Sequence, residues 1–176
     1  MTNPFFKNTG PYEINNLLKL INLNSHSFPN DMIADIKDLN SSQKGEITFF
    51  HSKKYIDLAK VTKASYCLTT DNLKIFLPSS CKPIISDKVL LNTAKITQIF
   101  YPDSITDDYD NSVDDINKTE FKDNVKYGKN VLIGKNVKIG SNCSIGHNSI
   151  IEKNVSIGDN CSIGSNVIIR NSLIKN

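Results

Sequence analysis

Apolar and polar positions repeat every six residues from Phe121 to the end of the chain. The successive hexads are FKDNVK, YGKNVL, IGKNVK, IGSNCS, IGHNSI, IEKNVS, IGDNCS, IGSNVI and IRNSLI. The first position is apolar or aromatic in all nine, glycine follows it in six, asparagine is fourth in the first eight, and the fifth is small or apolar. This period is typical of a solenoid, in which one repeat buries its apolar face only by stacking on its neighbours.

The repeat predicts a parallel β-helix if three hexads make one coil. Nine hexads then make about three coils, with the first residue of each hexad pointing inward. We expect glycine and asparagine to form the turns because both tolerate a positive φ at low cost. Cys143 and Cys161, which lie one coil apart, should stack about 4.8 Å from each other, and we expect thiols there rather than a disulfide.

A different pattern precedes the repeat and predicts a small α/β domain in residues 1–102. Helical spacing after Pro11 predicts a first helix, in which the apolar positions are Ile14, Leu17, Leu18 and Ile21. Short apolar runs predict strands at residues 47–50, 65–69 and 83–85. A second helix is predicted over Val89–Phe100, capped by Asp87 and buried through Val89, Leu90, Ile96 and Ile99.

Residues 103–120 are acidic and poor in apolar side chains, which predicts a linker between the α/β domain and a β-helix in residues 121–176. The sequence after Ile169 shows neither a helix nor a polar cap, and Ile174 begins a further hexad one residue early. Because an uncapped solenoid exposes strand edges, we expect the chain to be a truncated form of a longer β-helix.

Composition excludes several classes of function. Apolar residues make up 39% of the chain and charged residues 22%, as in ordinary globular proteins. A net charge of +3 gives no argument for nucleic acid; residues 121–176 are net basic, which fits either solvated lysines or an acidic partner. No membrane span or secretory signal is visible, which predicts a cytoplasmic protein. The four cysteines have no CxxC spacing, and neither a metal site nor a cofactor is expected.

Three motifs give the chain a family resemblance. They are FFKNTGP at residues 5–11, GEITFFHSKKY at residues 45–55 and Phe100-Tyr101-Pro102, and the hexads follow them. In this order they resemble the UDP-3-O-(3-hydroxyacyl)glucosamine N-acyltransferases of lipid A biosynthesis. The resemblance implies a left-handed β-helix, a homotrimer in the cytoplasm of a Gram-negative type of bacterium, and transfer of a 3-hydroxyacyl group from acyl carrier protein to the 2-amine of the UDP-glucosamine lipid precursor.

The same resemblance implies a substrate-binding role for Phe49, Ser52 and Tyr55. The family's phenylalanine stacks on uracil and its tyrosine reaches the phosphates, which suits the chemistry of both side chains. Ser52 stands where the family has asparagine, and a hydroxyl lacks the separate donor and acceptor of a carboxamide. His51 or Lys53 is an alternative partner for the base. Phe49 as a core residue and Tyr55 as a structural residue remain open.

The catalytic base is not identified by the sequence. The resemblance implies a histidine in the β-helix, and of His26, His51 and His147 only the last lies in the repeats. The family's base lies many coils further along, so we expect His147 to be a turn residue at a coil corner. Two other functions stay open: a different hexapeptide-repeat acyltransferase, and a non-catalytic module for uridine-nucleotide binding and trimerisation.

Overall fold

The computed structural model of the chain describes residues 5–23, 28–105, 108–118, 121 and 124–175. These residues form two units, one within Phe6–Thr106 and the other within Asp107–Asn176 together with Phe5. Among the described residues, no helix has the length and apolar character needed to cross a bilayer.

The first unit is a small α/β fold. Its strands are β1 (Tyr12–Glu13), β2 (Met32–Ile33), β3 (Ile47–Phe50), β4 (Tyr66–Thr69) and β5 (Lys82–Ile85). Its α-helices are α1 (Ile14–Leu20), α2 (Ile56–Lys60) and α3 (Val89–Phe100), and 3-10 turns lie at Lys53–Tyr55, Lys74–Phe76 and Pro102–Ile105. Strands β3, β4 and β5 form a parallel sheet in that order, and β1 pairs with β2 antiparallel. The three predicted strands of the sheet are confirmed.

Both predicted helices of this unit are confirmed, and α3 has the predicted bounds. Two details of α3 differ from the prediction. Asp87 does not cap the helix; the hydroxyl of Ser86 instead accepts a hydrogen bond from the Lys88 N–H at 3.0 Å. Leu90 is 55% exposed, because the buried face of the helix runs through Val89, Asn92, Ile96 and Phe100.

The described residues of the second unit form ten strands of two residues each. They are β6 (Asp114–Asp115), β7 (Lys126–Tyr127), β8 (Leu132–Ile133), β9 (Lys138–Ile139), β10 (Ser144–Ile145), β11 (Ile150–Ile151), β12 (Ser156–Ile157), β13 (Ser162–Ile163), β14 (Ile168–Ile169) and β15 (Leu173–Ile174). Parallel pairing gives three sheets, β7-β10-β13, β8-β11-β14 and β9-β12-β15, so the predicted parallel β-helix of about three coils is confirmed.

The register between coils is eighteen residues, as Asn130 and Asn148 illustrate. It shortens by one in the last turn, where Ile157 pairs with Ile174, as the early start of that hexad predicts. Isoleucines in the first hexad position point inward and form the core, together with fifth-position residues such as Val131 and Val155. Cys143 and Cys161 are free thiols, as predicted.

The fourth-position asparagines hold the turns of the β-helix. From Asn124 to Asn166 their φ angles lie between 56° and 62°, in the left-handed region that asparagine tolerates better than most residues. Their side chains also bond from coil to coil: Nδ2 of Asn130 donates to Oδ1 of Asn148 at 3.0 Å, and Nδ2 of Asn148 donates to Oδ1 of Asn166 at 3.2 Å. The predicted role of asparagine is confirmed.

The hexad glycines serve a different purpose from the predicted one. Among the described glycines, a positive φ occurs at Gly45 of the first unit and at none in the repeats. A Cβ added to Gly146 would overlap the backbone nitrogen of Ser165, and one added to Gly128 would lie 2.7 Å from the backbone nitrogen of His147. At these positions glycine is therefore required because the next coil stacks too closely for a side chain.

Third-position side chains complete the stacking. The backbone N–H of Ser141 donates to Oδ1 of Asp159 at 2.7 Å, and the N–H of His147 donates to Oγ of Ser165 at 3.0 Å. At the corner between the β8 and β9 sheets, the third position holds Lys135 and then Lys153. A lysine side chain has no acceptor atom, so this corner needs another source of acceptors.

Residues 108–118, here called the acidic segment, supply those acceptors. Oγ of Ser112 accepts from the Lys135 N–H at 2.9 Å, and Oδ2 of Asp110 accepts from the Lys153 N–H at 2.6 Å. Strand β6 then pairs antiparallel with β8, and the side chain of Ile116 is buried in the core of the β-helix. The segment for which the sequence predicts a linker thus contributes a strand and core contacts to the second unit.

Replacing glycine by alanine should destabilise the β-helix only where a coil stacks on it. We expect Gly146→Ala to lower the free energy of unfolding by about 1–3 kcal/mol, because the new methyl group is overpacked against Ser165. Gly164→Ala is the matched control, since the nearest atom to its Cβ would be 3.8 Å away. Equilibrium urea unfolding followed by circular dichroism measures both; equal losses would contradict the stacking explanation.

Removing the carboxylate of Asp110 should loosen the corner that it bonds. We expect Asp110→Ala to lower the free energy of unfolding by about 1–3 kcal/mol, because it leaves the Lys153 N–H without its acceptor. Asp108→Ala is the control and should have little effect, because Asp108 accepts a hydrogen bond from Arg170 through its backbone carbonyl oxygen. Hydrogen–deuterium exchange of peptides spanning residues 126–175 reports the loss. If the amides of Asp110→Ala are protected from exchange as well as those of wild type, the carboxylate of Asp110 is not required for the stability of this corner.

The contribution of Asp110 should also depend on pH. Burial pushes the pKa of Asp110 upward, but hydrogen bonds from Ser112 and the Lys153 N–H outweigh it and hold the pKa below the usual 3.8. Stabilisation by a carboxylate with a lowered pKa is present above about pH 4 and is lost as the pH falls through the folded pKa. The difference between wild type and Asp110→Ala should therefore shrink in acid.

Candidate functional site

The predicted binding loop lies at the carboxyl edge of the parallel sheet. Strand β3 ends at Phe50, whose carbonyl accepts a hydrogen bond from the Thr69 hydroxyl at 2.9 Å. The chain then turns through the 3-10 turn Lys53–Tyr55 into α2. In open α/β sheets, ligands bind in the crevice outside the carboxyl ends of the strands. The loop thus lies where this class of fold offers a binding surface.

Local interactions fix the start of the same strand. Gly45 has a φ of 85°, which is costly for any residue with a side chain, and its N–H donates to Oγ of Ser65 at 2.8 Å. The buried Glu46 accepts hydrogen bonds from the Lys37 ammonium and from the Gln43 N–H. These contacts hold β3 in register before it reaches the loop.

Three aromatic side chains stand in a row at the end of β3. The rings of Phe49 and His51 are nearly parallel, with 6.3 Å between their centroids and 23° between their planes. The ring of Tyr55 follows, 5.6 Å from the His51 centroid and tilted by 47°. Phe49 and Tyr55 are half-buried and His51 is exposed. Phe49 packs partly on the core and keeps part of its surface accessible, so its core contacts leave room for the binding role, which stays a prediction.

The hydroxyl of Ser52 is occupied within the loop. Its Oγ accepts a hydrogen bond from the Lys54 N–H at 3.3 Å and caps the 3-10 turn. The side chain thus serves the backbone, as serine commonly does at the start of a helical turn. Of the three predicted binding residues, the structure brings Phe49 and Tyr55 together around His51 and turns Ser52 back onto its own loop.

Positive charge lies beside the last ring of the row. Nζ of Lys54 lies 5.8 Å from the centroid of the Tyr55 ring, and Lys53 is also exposed. Ammonium groups beside a phenol suit an anionic group such as a phosphate. The loop therefore presents flat apolar surface at one end and positive charge at the other.

His147 lies in the second unit, at an exposed corner of the β-helix. Its Nδ1 accepts a hydrogen bond from the Lys129 N–H at 2.8 Å. A neutral imidazole whose Nδ1 accepts must hold its proton on Nε2, so it has no free lone pair with which to remove a proton from a substrate. This geometry gives His147 the stacking role that Asp159 and Ser165 have at other corners. His26 lies outside the described residues.

A separate cleft of about 320 Å³ opens elsewhere in the first unit. It lies between the residues that follow α1 and the start of α3, and it is lined by Ile21, Asn22, Leu23, Ser86, Asp87, Lys88, Leu91, Asn92 and Lys95. None of the predicted binding residues lines it. In the part of the chain that the structure describes, no three His, Cys, Asp or Glu side chains are grouped to hold a metal ion.

Sequence reasoning missed the central position of His51 in the aromatic row. The signal was available, because alternate residues of a strand point to the same face and His51 lies two residues after Phe49. The capping role of Ser52 was less accessible, since it depends on a 3-10 turn that the sequence did not predict.

Comparison with known protein families agrees with this architecture. Residues 32–99 match the family model for UDP-3-O-(3-hydroxymyristoyl) glucosamine N-acyltransferase, LpxD, and this range includes the whole aromatic loop. Residues 119–153 and 136–171 match the bacterial transferase hexapeptide model of six repeats. No curated protein matches the chain significantly. The chain thus combines an N-terminal domain of the UDP-3-O-(3-hydroxymyristoyl) glucosamine N-acyltransferase (LpxD) type, matched over residues 32–99, with the hexapeptide repeats that follow it.

Proposed function

We propose that the protein binds a UDP-glucosamine lipid precursor through its first unit and serves the transfer of a 3-hydroxyacyl group from acyl carrier protein to the glucosamine 2-amine. The observation that supports this is the aromatic loop at the carboxyl edge of the sheet, within the residues that match the family model. In the reaction the amine nitrogen attacks the thioester carbon, a C–N bond forms, and the carrier thiol leaves as the C–S bond breaks. The amine must lose a proton in this step, which requires a general base.

The nucleotide is proposed to lie along the aromatic loop. The exposed part of Phe49 offers a flat face to the uracil, and Tyr55 with Lys53 and Lys54 surrounds the phosphates. Base–aromatic stacking and charge-assisted hydrogen bonds are the two interactions that nucleotide sites generally combine. The proposed positions of the base and the phosphates follow the order of these side chains along the loop, with Phe49 at one end and Tyr55 at the other.

A second function has its own support. Among the described histidines, His147 uses Nδ1 for coil stacking and His51 lies in the aromatic loop. We therefore assign the role of general base to neither of them. This favours a role for the described residues in nucleotide binding and assembly, with the base supplied by residues outside them. Acyl transfer that survives both His147→Asn and His51→Phe would support that division.

Assembly into a homotrimer is proposed to use the outer face of the β8-β11-β14 sheet. The outward positions of this sheet are Leu132, Ile150 and Ile168, whereas the β7-β10-β13 sheet has Lys126, Ser144 and Ser162 at the same positions. Ile168 is 62% exposed in the single chain. An apolar column on one face only, beside a polar column on another, is the pattern expected of a subunit interface.

The nucleotide proposal is tested by titrating the protein with UDP-N-acetylglucosamine in a calorimeter. We expect saturable binding that Phe49→Leu weakens about five- to a hundredfold, because leucine keeps the apolar contacts with the core but loses the flat ring. Tyr109→Phe, a substitution at a 79% exposed tyrosine of the second unit, is the control and should leave the affinity unchanged. A folded wild-type protein that binds no uridine nucleotide would contradict the proposal.

The assembly proposal is tested by sedimentation equilibrium. We expect the wild-type chain to form trimers and Ile168→Glu to sediment as a monomer, because a buried unpaired carboxylate at the interface is unfavourable. Ser162→Glu, on the neighbouring sheet, should remain trimeric. A wild-type chain that is monomeric throughout the micromolar range, or two variants with the same mass as wild type, would argue against this interface.

A further inference from the structure

The cleft between the end of α1 and the start of α3, here called the α1–α3 cleft, has one wall that helix-capping bonds fix. Helix α1 is followed by Asn22, which has a φ of 58° and whose N–H donates to the Lys19 carbonyl at 3.1 Å. The Leu23 N–H donates to the Leu18 carbonyl at 3.0 Å. These two bonds form a Schellman cap, which sets the direction of the chain after a helix. The cavity of about 320 Å³ beside this cap is therefore bounded by ordered backbone.

The wall contributed by α3 carries two free positive charges. Lys88, Leu91 and Lys95 all line the cleft, as their spacing of three and four residues along a helix predicts. In the part of the chain that the structure describes, neither of the two ammonium groups forms an ion pair. Both charges are therefore available to an anion in the cleft.

The hydroxyl of Ser86 adds a buried donor to the lining of the cleft. Ser86 is 5% exposed, and its Oγ accepts hydrogen bonds from the Lys88 N–H at 3.0 Å and from Nδ2 of Asn92 at 2.8 Å. Both bonds use lone pairs of the oxygen, so the hydroxyl still has its own proton to donate. Among the described residues none accepts this proton, and a buried donor without a partner is unfavourable. An anionic oxygen in the cleft supplies the missing acceptor.

The rest of the lining includes an apolar surface of limited size. Ile21, Leu23 and Leu91 line the same cavity as the two lysines. A water molecule takes up about 30 Å³ in the liquid, so a cavity of about 320 Å³ has room for roughly ten non-hydrogen atoms. Octanoate, which has a carboxylate on a short hydrocarbon chain, is an anion of about this size.

We propose that the α1–α3 cleft is a binding site for the anion of a medium-chain fatty acid. The carboxylate accepts the Ser86 proton and is attracted by the ammonium groups of Lys88 and Lys95. The hydrocarbon chain covers Leu23 and Leu91 and removes their apolar surface from water. The aromatic loop contributes no residue to this cleft, so the assignment does not depend on the proposed function.

Asp87 also lines the cleft and gives the proposal a test of sign. Its carboxylate repels a bound anion, although two lysines against one aspartate keep the net charge of the lining at +1. We expect Asp87→Asn to bind octanoate about two- to fivefold more tightly than wild type. Asp87 does not cap α3, so the substitution leaves the helix intact. A site for a neutral or cationic ligand predicts no gain or a loss.

The main experiment is a nitrogen-15 NMR titration of the full chain with sodium octanoate. We expect saturable shifts of the amides in residues 21–23 and 86–95. Lys95→Met keeps the hydrocarbon stem without the charge and should bind about three- to tenfold more weakly. Lys60→Met replaces an exposed lysine of α2 outside the cleft and should bind as wild type does. Excess UDP-N-acetylglucosamine should not displace octanoate.

Two further probes separate the parts of the ligand. Acetate lacks the hydrocarbon chain and 1-octanol lacks the charge, so each should bind at least about tenfold more weakly than octanoate. Equal binding of octanol would make the cleft merely apolar, and equal binding of acetate would make it a simple anion site. Either result contradicts the proposal. So do shifts that spread over the chain without saturation, or equal losses in Lys60→Met and Lys95→Met. The nucleotide proposal is judged separately, by the titration of Phe49→Leu.

Discussion

The close stacking of backbone on backbone is the constraint on which the second unit depends. Equivalent positions in successive coils lie one strand spacing apart, about 4.8 Å, over the whole length of the β-helix. At second positions such as Gly146, this leaves no room for a Cβ beside the backbone of Ser165. At the third position it brings a backbone N–H under the next side chain, which must then contain an acceptor, as Asp159 and Ser165 do. The hexad is thus a set of steric and hydrogen-bonding requirements, and hydrophobicity specifies only its first and fifth positions.

The same constraint explains why an acidic segment with few apolar residues is ordered. Lysines at two successive third positions leave one corner of the β-helix without side-chain acceptors, and the acidic segment brings a carboxylate and a hydroxyl to that corner. Its strand β6 also covers the edge of β8, and Ile116 covers the core beneath the first coil. An edge strand paired in this way is protected from association with other chains. The low apolar content of the segment is misleading because its contribution is made mainly by polar atoms.

The sequence predicted what depends on local period and missed what depends on distant partners. The coils, their register and the positive φ at asparagine follow from a pattern repeated many times, and α3 follows from its own helical spacing. The acceptors of the Lys135 and Lys153 N–H groups lie 23 and 43 residues away, and no periodicity relates them to those lysines. At the candidate site, the family resemblance identified Phe49 and Tyr55. The position of His51 in the aromatic row depends on extended backbone through residue 51, which places that side chain on the same face as Phe49. The cap at Ser52 depends on the 3-10 turn that follows.

The stacking constraint also limits where a β-helix of this kind can place a catalytic base. A histidine at the third position of a stacked coil accepts the N–H of the coil before it, as His147 does from Lys129, and its remaining nitrogen then holds the proton. Such a ring is a donor toward solvent and cannot act as a base until the stacking bond is broken. A general base is therefore better placed at an outward sixth position, where side chains leave the sheet and no backbone group competes for the imidazole lone pair. In the described coils those positions hold lysine, serine, leucine and isoleucine, which suit surface and interface contacts rather than proton transfer.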